Sequence, residues 1–338
     1  MFCALIFPVC CFRKLHATGA IMSGSMADIF SLTVMGQAAS LGSVESVHNL
    51  IESFGLRIRQ RFMLSSNRSQ ATCERFELTG SSPDVLGIRH AILEVSERCN
   101  VDLVFQVESD DRRRYELLVL DMDSTLIKCE VIDELARLAG VYDQVSEITQ
   151  RAMRGELEFK ESFRNRLSLL AGLDMALVQE FTNRIPLMDG AERLVSTAKR
   201  MGMRTAICSG GFTLMGNKLQ ELIGIDYVFA NELEAKDGRL TGQVSGEIVD
   251  GTRKALLMTQ LADKLGVGLG EVIAIGDGAN DLPMIEAAGL GVAFRAKPIV
   301  RERARHSISA LGLDAVLYMM GLSDLDIDQL ASQGMQSS

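Results

Sequence analysis

Residues 117–125 have the sequence LLVLDMDST, and this stretch decides the fold of the chain. An apolar run of strand length delivers two carboxylates, Asp121 and Asp123, into a turn. Side chains alternate along a strand, but beyond its end both carboxylates can converge on one point. Their repulsion must then be relieved by a cation or by a shared proton. Alone, such a pair is more often part of a turn or a helix cap, so a functional role depends on further motifs elsewhere in the chain.

Two later segments carry groups that suit an anion. The apolar run 204–208 ends in Ser209-Gly210-Gly211, where a hydroxyl and backbone N–H groups can approach an anion closely. Lys254 opens a stretch, 253–265, whose leucines recur at helical spacing. Each has a plainer explanation, as a loop and as a solvated lysine.

A second carboxylate pair, Asp277 and Asp281, follows the strand-like run 271–276 in a glycine-flanked loop. This segment could also be a turn with a helix cap. Three of the four segments nevertheless lie where a predicted strand ends, which is where open α/β sheets bind ligands. Their shared position favours one active site.

The four segments resemble the four motifs of the haloacid dehalogenase-like phosphatases, over about residues 115–321. Within that superfamily the DMDST form, Glu130, the segment 152–159 and the Arg-Asn-Arg at 164–166 are similar to the phosphoserine phosphatases. The resemblance implies a phosphatase that hydrolyses O-phosphoserine to serine and phosphate, the last step of serine biosynthesis.

The resemblance also implies roles for the motif residues. Asp121 would attack phosphorus and form an aspartyl-phosphate, and Asp123 would serve as general acid and then general base. Mg²⁺ would be held by Asp121, the backbone carbonyl of Asp123 and Asp277, because all-oxygen ligands suit that ion. Asp281 would lie near the ion and orient Lys254 or a metal-bound water, unless it only caps a helix. The groups expected on the phosphate side are Ser209, Gly210, Lys254 and, more weakly, Asn280.

Recognition of the alcohol must come from elsewhere, and the insert 128–185 is the place expected for it. Helical spacing puts Phe159 and Arg166 on one face of a predicted lid helix. From the residues alone, an arginine that reaches out to solvent or pairs with a glutamate of the cap is favoured two to one over one that binds a substrate carboxylate. The resemblance reverses that preference. It assigns the substrate ammonium to Glu130 and an apolar wall to Phe159.

The predicted fold class is α/β, a doubly wound parallel sheet with a helical cap insert, preceded by a small α+β domain. Strands are expected at about 116–121, 204–209, 227–231, 271–276 and 290–294, with a hairpin at 232–249. The predicted divisions are an extension at 1–25, a small domain at 26–108, a linker at 109–114, the phosphatase domain at 115–321 and a tail at 322–338. From Asp324 onward the tail is expected to fray.

The small domain shows the order strand, helix, strand, strand, helix, strand, with elements expected at 29–36, 43–53, 56–64, 72–78, 84–97 and 101–107. This order is similar to that of ACT-type regulatory domains. It suggests an amino-acid effector, serine in the first instance, at an inter-domain or inter-subunit surface. The alternative is a structural or dimerising appendage, which leaves a homodimer open.

Composition limits the function classes. The chain has 338 residues, is 47% hydrophobic and carries a net charge of −9, which argues against a nucleic-acid surface. Seven irregularly spaced cysteines argue against a disulfide framework and suit the cytoplasm. The apolar start, residues 1–12, is too short to span a bilayer. A start codon set too early, with Met22 or Met26 as the true start, is favoured over secretion about three to one.

The sequence therefore predicts a Mg²⁺-dependent enzyme that acts on a small metabolite. An alternative within the same chemistry is another small phosphorylated amino acid or alcohol, or transfer to an acceptor other than water. A different class, a regulatory protein with an inactive phosphatase-like domain, is disfavoured because the motif residues are all present.

Overall fold

The computed structural model describes residues 28–37, 44–66, 71–80, 84–107 and 114–334. The predictions for the extension at 1–25, and for nearly all of the charged linker at 109–114, lie outside these residues. Within the described ranges no helix is long and apolar enough to cross a membrane.

The N-terminal part forms a four-stranded antiparallel sheet with two helices. Its elements follow the predicted order: β1 (Asp28–Gln37), α1 (Val44–Ser53), β2 (Arg57–Ser66), β3 (Ala71–Gly80), α2 (Val85–Cys99) and β4 (Asp102–Val107). The strands lie in the order β2-β3-β1-β4. Phe30, Leu32 and Phe76 in the sheet pack with Ile88 and Ile92 of α2, so that this part has a buried core of its own.

The larger part is built on a seven-stranded sheet in the order β11-β10-β9-β5-β6-β7-β8. The strands are β5 (Leu117–Leu120), β6 (Arg204–Phe212), β7 (Tyr227–Lys236), β8 (Arg239–Ser245), β9 (Val272–Gly276), β10 (Leu290–Phe294) and β11 (His306–Ile308). Neighbouring strands are parallel except for the antiparallel pair β7 and β8, which is the predicted hairpin. The strand β11 was not predicted.

Helices cover both faces of this sheet, as the predicted doubly wound fold requires. They are α7 (Ala191–Arg200), α8 (Thr213–Ile223), α9 (Gly251–Leu265), α10 (Leu282–Ala287), α11 (Pro298–Arg303) and α12 (Ala315–Met319). Leu118 and Leu120 of β5 belong to one buried cluster, which includes Leu194 of α7. Leu117 and Val119 belong to another, which includes Met258 of α9. The alternation of side chains along β5 thus accounts for its unbroken apolar sequence.

The cap insert folds as four helices: α3 (Val131–Ala139), α4 (Tyr142–Met153), α5 (Phe159–Ser168) and α6 (Met175–Thr182). The chain leaves and re-enters the larger part side by side, because Ile127 and Leu187 form an isolated antiparallel bridge. Lys160 of α5 pairs with Asp250, the N-cap of α9, at 2.9 Å. The cap therefore lies against the end of the sheet where the motif residues are found.

The two parts share an interface. Met35 and Val104 of the N-terminal sheet belong to the same buried cluster as core residues of the larger part. The Asp102 carboxylate accepts hydrogen bonds of 2.6 to 3.1 Å from the backbone N–H groups of Ser309, Ala310 and Leu311. Apolar packing and a buried carboxylate together hold β4 against the chain that follows β11.

The prediction that the chain frays from Asp324 is wrong for residues 324–334, which form the helix α13 (Asp324–Gly334). Asp324 is buried and accepts hydrogen bonds from Arg193 at 2.7 Å and from the Tyr318 hydroxyl at 2.9 Å. Ile327 is buried as well. The helix is stabilised by a partner 131 residues away in the sequence, and local composition gives no sign of such a contact.

Candidate active site

The three motif strands are neighbours in the sheet. β5 lies between β6 and β9 and runs parallel to both. Parallel strands end at the same edge, so Asp121 after β5, the Ser209 segment of β6 and Asp277 after β9 meet there. The edge is the one expected for ligand binding in an open α/β sheet.

Lys254 joins this edge from the first turn of α9. Its side chain is fully buried, and Nζ lies 2.8 Å from Asp121 Oδ1 and 2.7 Å from Asp281 Oδ1. Burial alone would lower the pKa of Lys254, but the charges of the two aspartates raise it above its usual value. Lys254 is therefore a fixed cation, and the plainer explanation as a solvated lysine is wrong.

Asp121, Asp277 and Asp281 form an acidic cluster in which one oxygen of each lies within 4.8 Å of the others. Burial, together with the charges of Asp121 and Asp281, raises the pKa of Asp277 to about 8. Burial and the Asp121 charge also raise the pKa of Asp281, against the opposing effect of Lys254. A carboxylate cluster held in this way suits a hard cation with oxygen ligands.

Asp281 is already engaged on both oxygens. Oδ1 accepts from Lys254, and Oδ2 accepts from the Gly278 N–H at 2.9 Å. A Cβ at Gly276 would lie 2.4 Å from Asp281 Cγ, so only glycine allows this carboxylate to lie so close to the strand end. The contacts of Asp281 match the predicted orientation of Lys254 better than a simple helix cap.

Asp123 is not one of the carboxylates of this cluster. Its Oδ2 accepts a long hydrogen bond of 3.4 Å from the Val131 N–H, and its Oδ1 is buried without a partner. Burial and the charges of Glu130 and Asp121 raise the pKa of Asp123 well above its usual value. Asp121 and Asp123 thus lie in different environments, as an acid/base pair with separate tasks requires.

The Ser-Gly-Gly segment interrupts the pairing of β6 with β7 between Cys208 and Phe212, although it was expected to follow the strand. The buried Ser209 hydroxyl accepts from the Gly211 N–H at 3.0 Å. A Cβ at Gly211 would lie 2.5 Å from Met122 Cε and 3.2 Å from each carboxylate oxygen of Asp123, so this segment passes close to the Asp121 turn. Gly210 and Gly211 therefore allow the two motif loops to lie in contact.

Two residues to which the sequence analysis assigned no role support these loops. The buried Asn231 side chain donates to the Gly210 carbonyl at 2.8 Å and accepts from the Val249 N–H at 2.9 Å. Thr125 is buried and donates to Asp277 Oδ1 at 3.2 Å. In the sequence, the one feature that could have pointed to Asn231 is an asparagine within a predicted strand.

Asn280 lies on the 3₁₀ turn Ala279–Asp281 beside the start of α9. Its backbone oxygen would be 2.6 Å from a Cβ at Gly251, so the loop and the helix are in close contact. The weak prediction of a phosphate-side role for the Asn280 side chain stays a prediction.

The cap brings Phe159 to the mouth of the site. Its ring atom Cζ would lie 3.7 Å from a Cβ at Gly210, and its ring stacks on Phe163 with a centroid distance of 6.3 Å. Phe163 in turn packs near Phe212 of β6. An aromatic series therefore runs from the cap to the sheet edge, as an apolar wall would require.

Arg166 and Glu130 are the two charged residues that the sequence predicts for recognition of the amino acid. Burial lowers the pKa of Arg166, while the charges of Asp133, Glu130 and Asp123 oppose that effect. Its only hydrogen bonds within the described residues are long ones of 3.4 Å, to the Ser162 carbonyl and the Thr149 hydroxyl. Glu130 is exposed and accepts from the Ser124 hydroxyl at 2.6 Å. Because no carboxylate of the described residues lies close to it, the largely buried guanidinium of Arg166 is available to bind the carboxylate of a ligand.

The chain is similar to several known proteins. A family model of haloacid dehalogenase-like hydrolases matches residues 115–289. A phosphoserine phosphatase of Streptomyces coelicolor is 42% identical over 297 residues, which are 88% of this chain and 72% of that protein. A crystal structure of a probable phosphoserine phosphatase from Vibrio cholerae, in its unliganded form, is 34% identical with a TM-score of 0.68 and covers 88% of each chain. A structure of a substrate-bound phosphoserine phosphatase complex is 42% identical with a TM-score of 0.58, covering 61% of this chain and 98% of that one.

The parallel sheet, the motif residues at its edge and these matches define a hydrolase of the α/β class. The chain belongs to the haloacid dehalogenase-like hydrolase family, and within it to the group of the phosphoserine phosphatases.

Proposed function

We propose that this chain hydrolyses O-phosphoserine to serine and phosphate in a Mg²⁺-dependent reaction with a phosphoenzyme on Asp121. The observation that carries the proposal is the buried Lys254 bridge between Asp121 and Asp281, together with Asp123, whose pKa is raised well above its usual value. The 42% identity to a phosphoserine phosphatase supports the choice of substrate.

Asp121 is the nucleophile of this proposal. Its Oδ1 accepts from Lys254 and, at 2.8 Å, from the Met122 N–H. With Oδ1 held, attack falls to Oδ2, which forms a bond to phosphorus as the bond from phosphorus to the serine oxygen breaks. Lys254 and the Ser209 loop stabilise the negative charge shared between carboxylate and phosphoryl oxygens.

Asp123 moves the protons. In its protonated form, favoured by the raised pKa, it gives a proton to the departing serine oxygen. The resulting carboxylate then takes a proton from the water that attacks the aspartyl-phosphate, and the bond from Oδ2 to phosphorus breaks. Asp123 ends the cycle protonated again, and Asp121 ends it free.

The donor set fits Mg²⁺. Asp121, Asp277 and the backbone carbonyl of Asp123 would hold the ion, and the three clustered carboxylates offer only oxygen ligands. When bound, the ion supplies positive charge that lets nucleophile and phosphate dianion approach each other. Asp281 then positions Lys254 through the 2.7 Å contact.

The cap residues select the alcohol. Arg166, with no close carboxylate among the described residues, binds the substrate carboxylate in a bidentate manner. Glu130 takes the ammonium, and Phe159 excludes water from the mouth of the site. The N-terminal domain, with its βαββαβ order, would take an amino-acid effector such as serine, and the free cysteines are in keeping with the cytoplasm.

The test is Mg²⁺-dependent phosphate release from phosphoserine, phosphothreonine, phosphoethanolamine and a sugar phosphate. Asp121→Asn should abolish release because an amide does not attack phosphorus, while the exposed Asp263→Asn serves as the matched control and should leave it unchanged. A strong preference for phosphoserine is expected. Equal activity on all four substrates, or a preference for the sugar phosphate, would rule out phosphoserine as the specific substrate. Turnover by Asp121→Asn would rule out Asp121 as the nucleophile.

A further inference from the structure

A buried asparagine joins two segments of the catalytic edge through its side chain. Asn231 lies in β7, is only 2% exposed and is the sheet neighbour of Phe212 in β6. Its Nδ2 donates to the Gly210 carbonyl at 2.8 Å, and its Oδ1 accepts from the Val249 N–H at 2.9 Å. Both ends of one short side chain are therefore used by backbone groups that lie far apart in the sequence.

The first contact holds the peptide between Gly210 and Gly211. The carbonyl of this peptide accepts from Asn231, and its N–H donates to the Ser209 hydroxyl at 3.0 Å. The two groups of a trans peptide point in opposite directions, so a contact that holds the carbonyl also directs the N–H. Neither glycine has a Cβ that would oppose rotation of the peptide. The direction of the Gly211 N–H therefore depends on the Asn231 amide.

The Gly211 N–H in turn decides which group of Ser209 is left for a ligand. A serine hydroxyl has one O–H donor and two acceptor lone pairs. Because Ser209 Oγ accepts from Gly211, its proton points away from that N–H, and no group of the described residues accepts it. The Ser209 hydroxyl is thus left as a donor, which is what a phosphoryl oxygen requires.

The second contact holds the chain that leads into α9. Val249 directly precedes Asp250, the N-cap of α9, and the Asp250 carbonyl accepts from the Lys254 N–H at 2.8 Å. A Cβ at Gly210 would lie 3.4 Å from the Val249 carbonyl oxygen, so the two segments are in van der Waals contact. Asn231 therefore links the Gly210 segment to the helix turn that carries Lys254.

We infer that Asn231 is a positioning residue for the transferred phosphoryl group: through the Gly210–Gly211 peptide it keeps the Ser209 hydroxyl oriented as a donor to a phosphate oxygen. The inference rests on the proposed function, whose phosphate site it extends by one residue. Asn231 acts through Ser209, because its hydrogen bonds within the described part of the chain go only to Gly210 and Val249. The plainer explanation is an asparagine that only satisfies two buried backbone groups.

The experiment is a double-mutant cycle between Asn231 and Ser209, read by calorimetric titration of the Mg²⁺-loaded full chain with inorganic phosphate. Asn231→Asp keeps the acceptor for the Val249 N–H and replaces the donor to Gly210 by a second oxygen. Asn231→Ala adds no charge and is the second variant. Both are made alone and together with Ser209→Ala. Asn217→Asp, the same chemical change at an exposed position of α8, is the matched control.

We expect Ser209→Ala and each Asn231 variant to weaken phosphate binding at least about tenfold, and Asn217→Asp to leave it unchanged. In the Ser209→Ala background, replacement of Asn231 should weaken binding by at most about threefold, because the hydroxyl that it orients is gone. The rise in Tm that Mg²⁺ produces should be the same in Asn231→Ala as in the wild type. A residue with a merely structural role would give no coupling to Ser209.

Losses that are as large with Ser209→Ala as without it would overturn the inference. Phosphate binding by the Asn231 variants equal to that of Asn217→Asp, a wild type whose phosphate binding does not depend on Ser209, or Asn231 variants that do not fold would overturn it as well. Phosphate release from the four substrates, measured in parallel, reports the proposed function separately. Coupling between Asn231 and Ser209 in a wild type without turnover would refute the proposed function and keep this inference.

Discussion

Replacement of Lys254 by methionine tests the electrostatic organisation of the site most directly. The lysine is fully buried, and its ammonium lies 2.8 Å from Asp121 and 2.7 Å from Asp281. Methionine keeps much of the volume but leaves two buried carboxylates without their cation. Breaking a buried ion pair on one side costs about 3–5 kcal/mol. For a domain of this size that corresponds to a fall in Tm of about 10 °C.

The fall in the Tm of Lys254→Met should depend on Mg²⁺. Without metal, the acidic cluster of the variant has no counter-charge, and its Tm should fall by the full amount. Mg²⁺ that binds only the native state, at a free concentration 100 times its Kd, raises the free energy of unfolding by about 2.7 kcal/mol. Because the variant cluster is more negative than that of the wild type, Mg²⁺ should raise the Tm of Lys254→Met more than that of the unchanged chain.

The assay is differential scanning calorimetry in EDTA and in Mg²⁺, with phosphate release measured in parallel. Lys264→Met, on the exposed side of the same helix, is the matched control and should change stability by no more than about 0.5 kcal/mol. We expect kcat of Lys254→Met to fall by about 10²–10³-fold, since a fixed charge at the transferring group is removed. A fall in Tm no larger than that of Lys264→Met, or one that Mg²⁺ does not reduce, would refute the electrostatic account.

Three other outcomes are expected. Arg166→Ala should lower kcat/KM for phosphoserine by at least about 10²-fold, because a charge-assisted bidentate contact is lost, and should lower kcat/KM for an aryl phosphate far less. The variant of the exposed neighbour, Arg164→Ala, should change neither value. Equal losses on both substrates for Arg166→Ala would mean that Arg166 has a structural role. Burial and neighbouring carboxylates raise the pKa of Asp277 to about 8, so the folded chain holds more protons than the unfolded one between about pH 4 and 8. The Tm in EDTA should therefore fall as pH rises through this window, and a flat profile would contradict the raised pKa. Arg193→Leu should lower Tm and expose the helix that begins at Asp324 to proteolysis, and unchanged cleavage there would mean that the ion pair does not hold the helix.

The position of three motif residues at the edge of the sheet could be predicted from the sequence because each of them follows an apolar run. Asp121, Ser209 and Asp277 come at or just after strands β5, β6 and β9, and parallel strands bring their ends together whatever the length of chain between them. The fold class and the order of the N-terminal elements were confirmed for the same reason, since both depend on local periodicity.

Features that depend on contacts distant in sequence were not predicted. Asn231 joins Gly210 to Val249 through its side chain, and neither neighbour is recognisable from the residues around it. The strand β11 has three residues and no alternation long enough to detect. The helix from Asp324 depends on Arg193, so acidic composition alone gave the wrong expectation.

The division between sheet and cap explains how this fold separates chemistry from selectivity. The groups proposed to act on phosphorus lie at the sheet edge, where Lys254 contacts both Asp121 and Asp281. The groups proposed to recognise the amino acid come from the cap and its entry: Glu130 is exposed, and within the described part of the chain Arg166 has only long hydrogen bonds of 3.4 Å. Such a guanidinium gains more from a substrate carboxylate than one already paired in the protein would. On the proposed assignment, the cap selects the alcohol by charge while the sheet edge keeps its geometry.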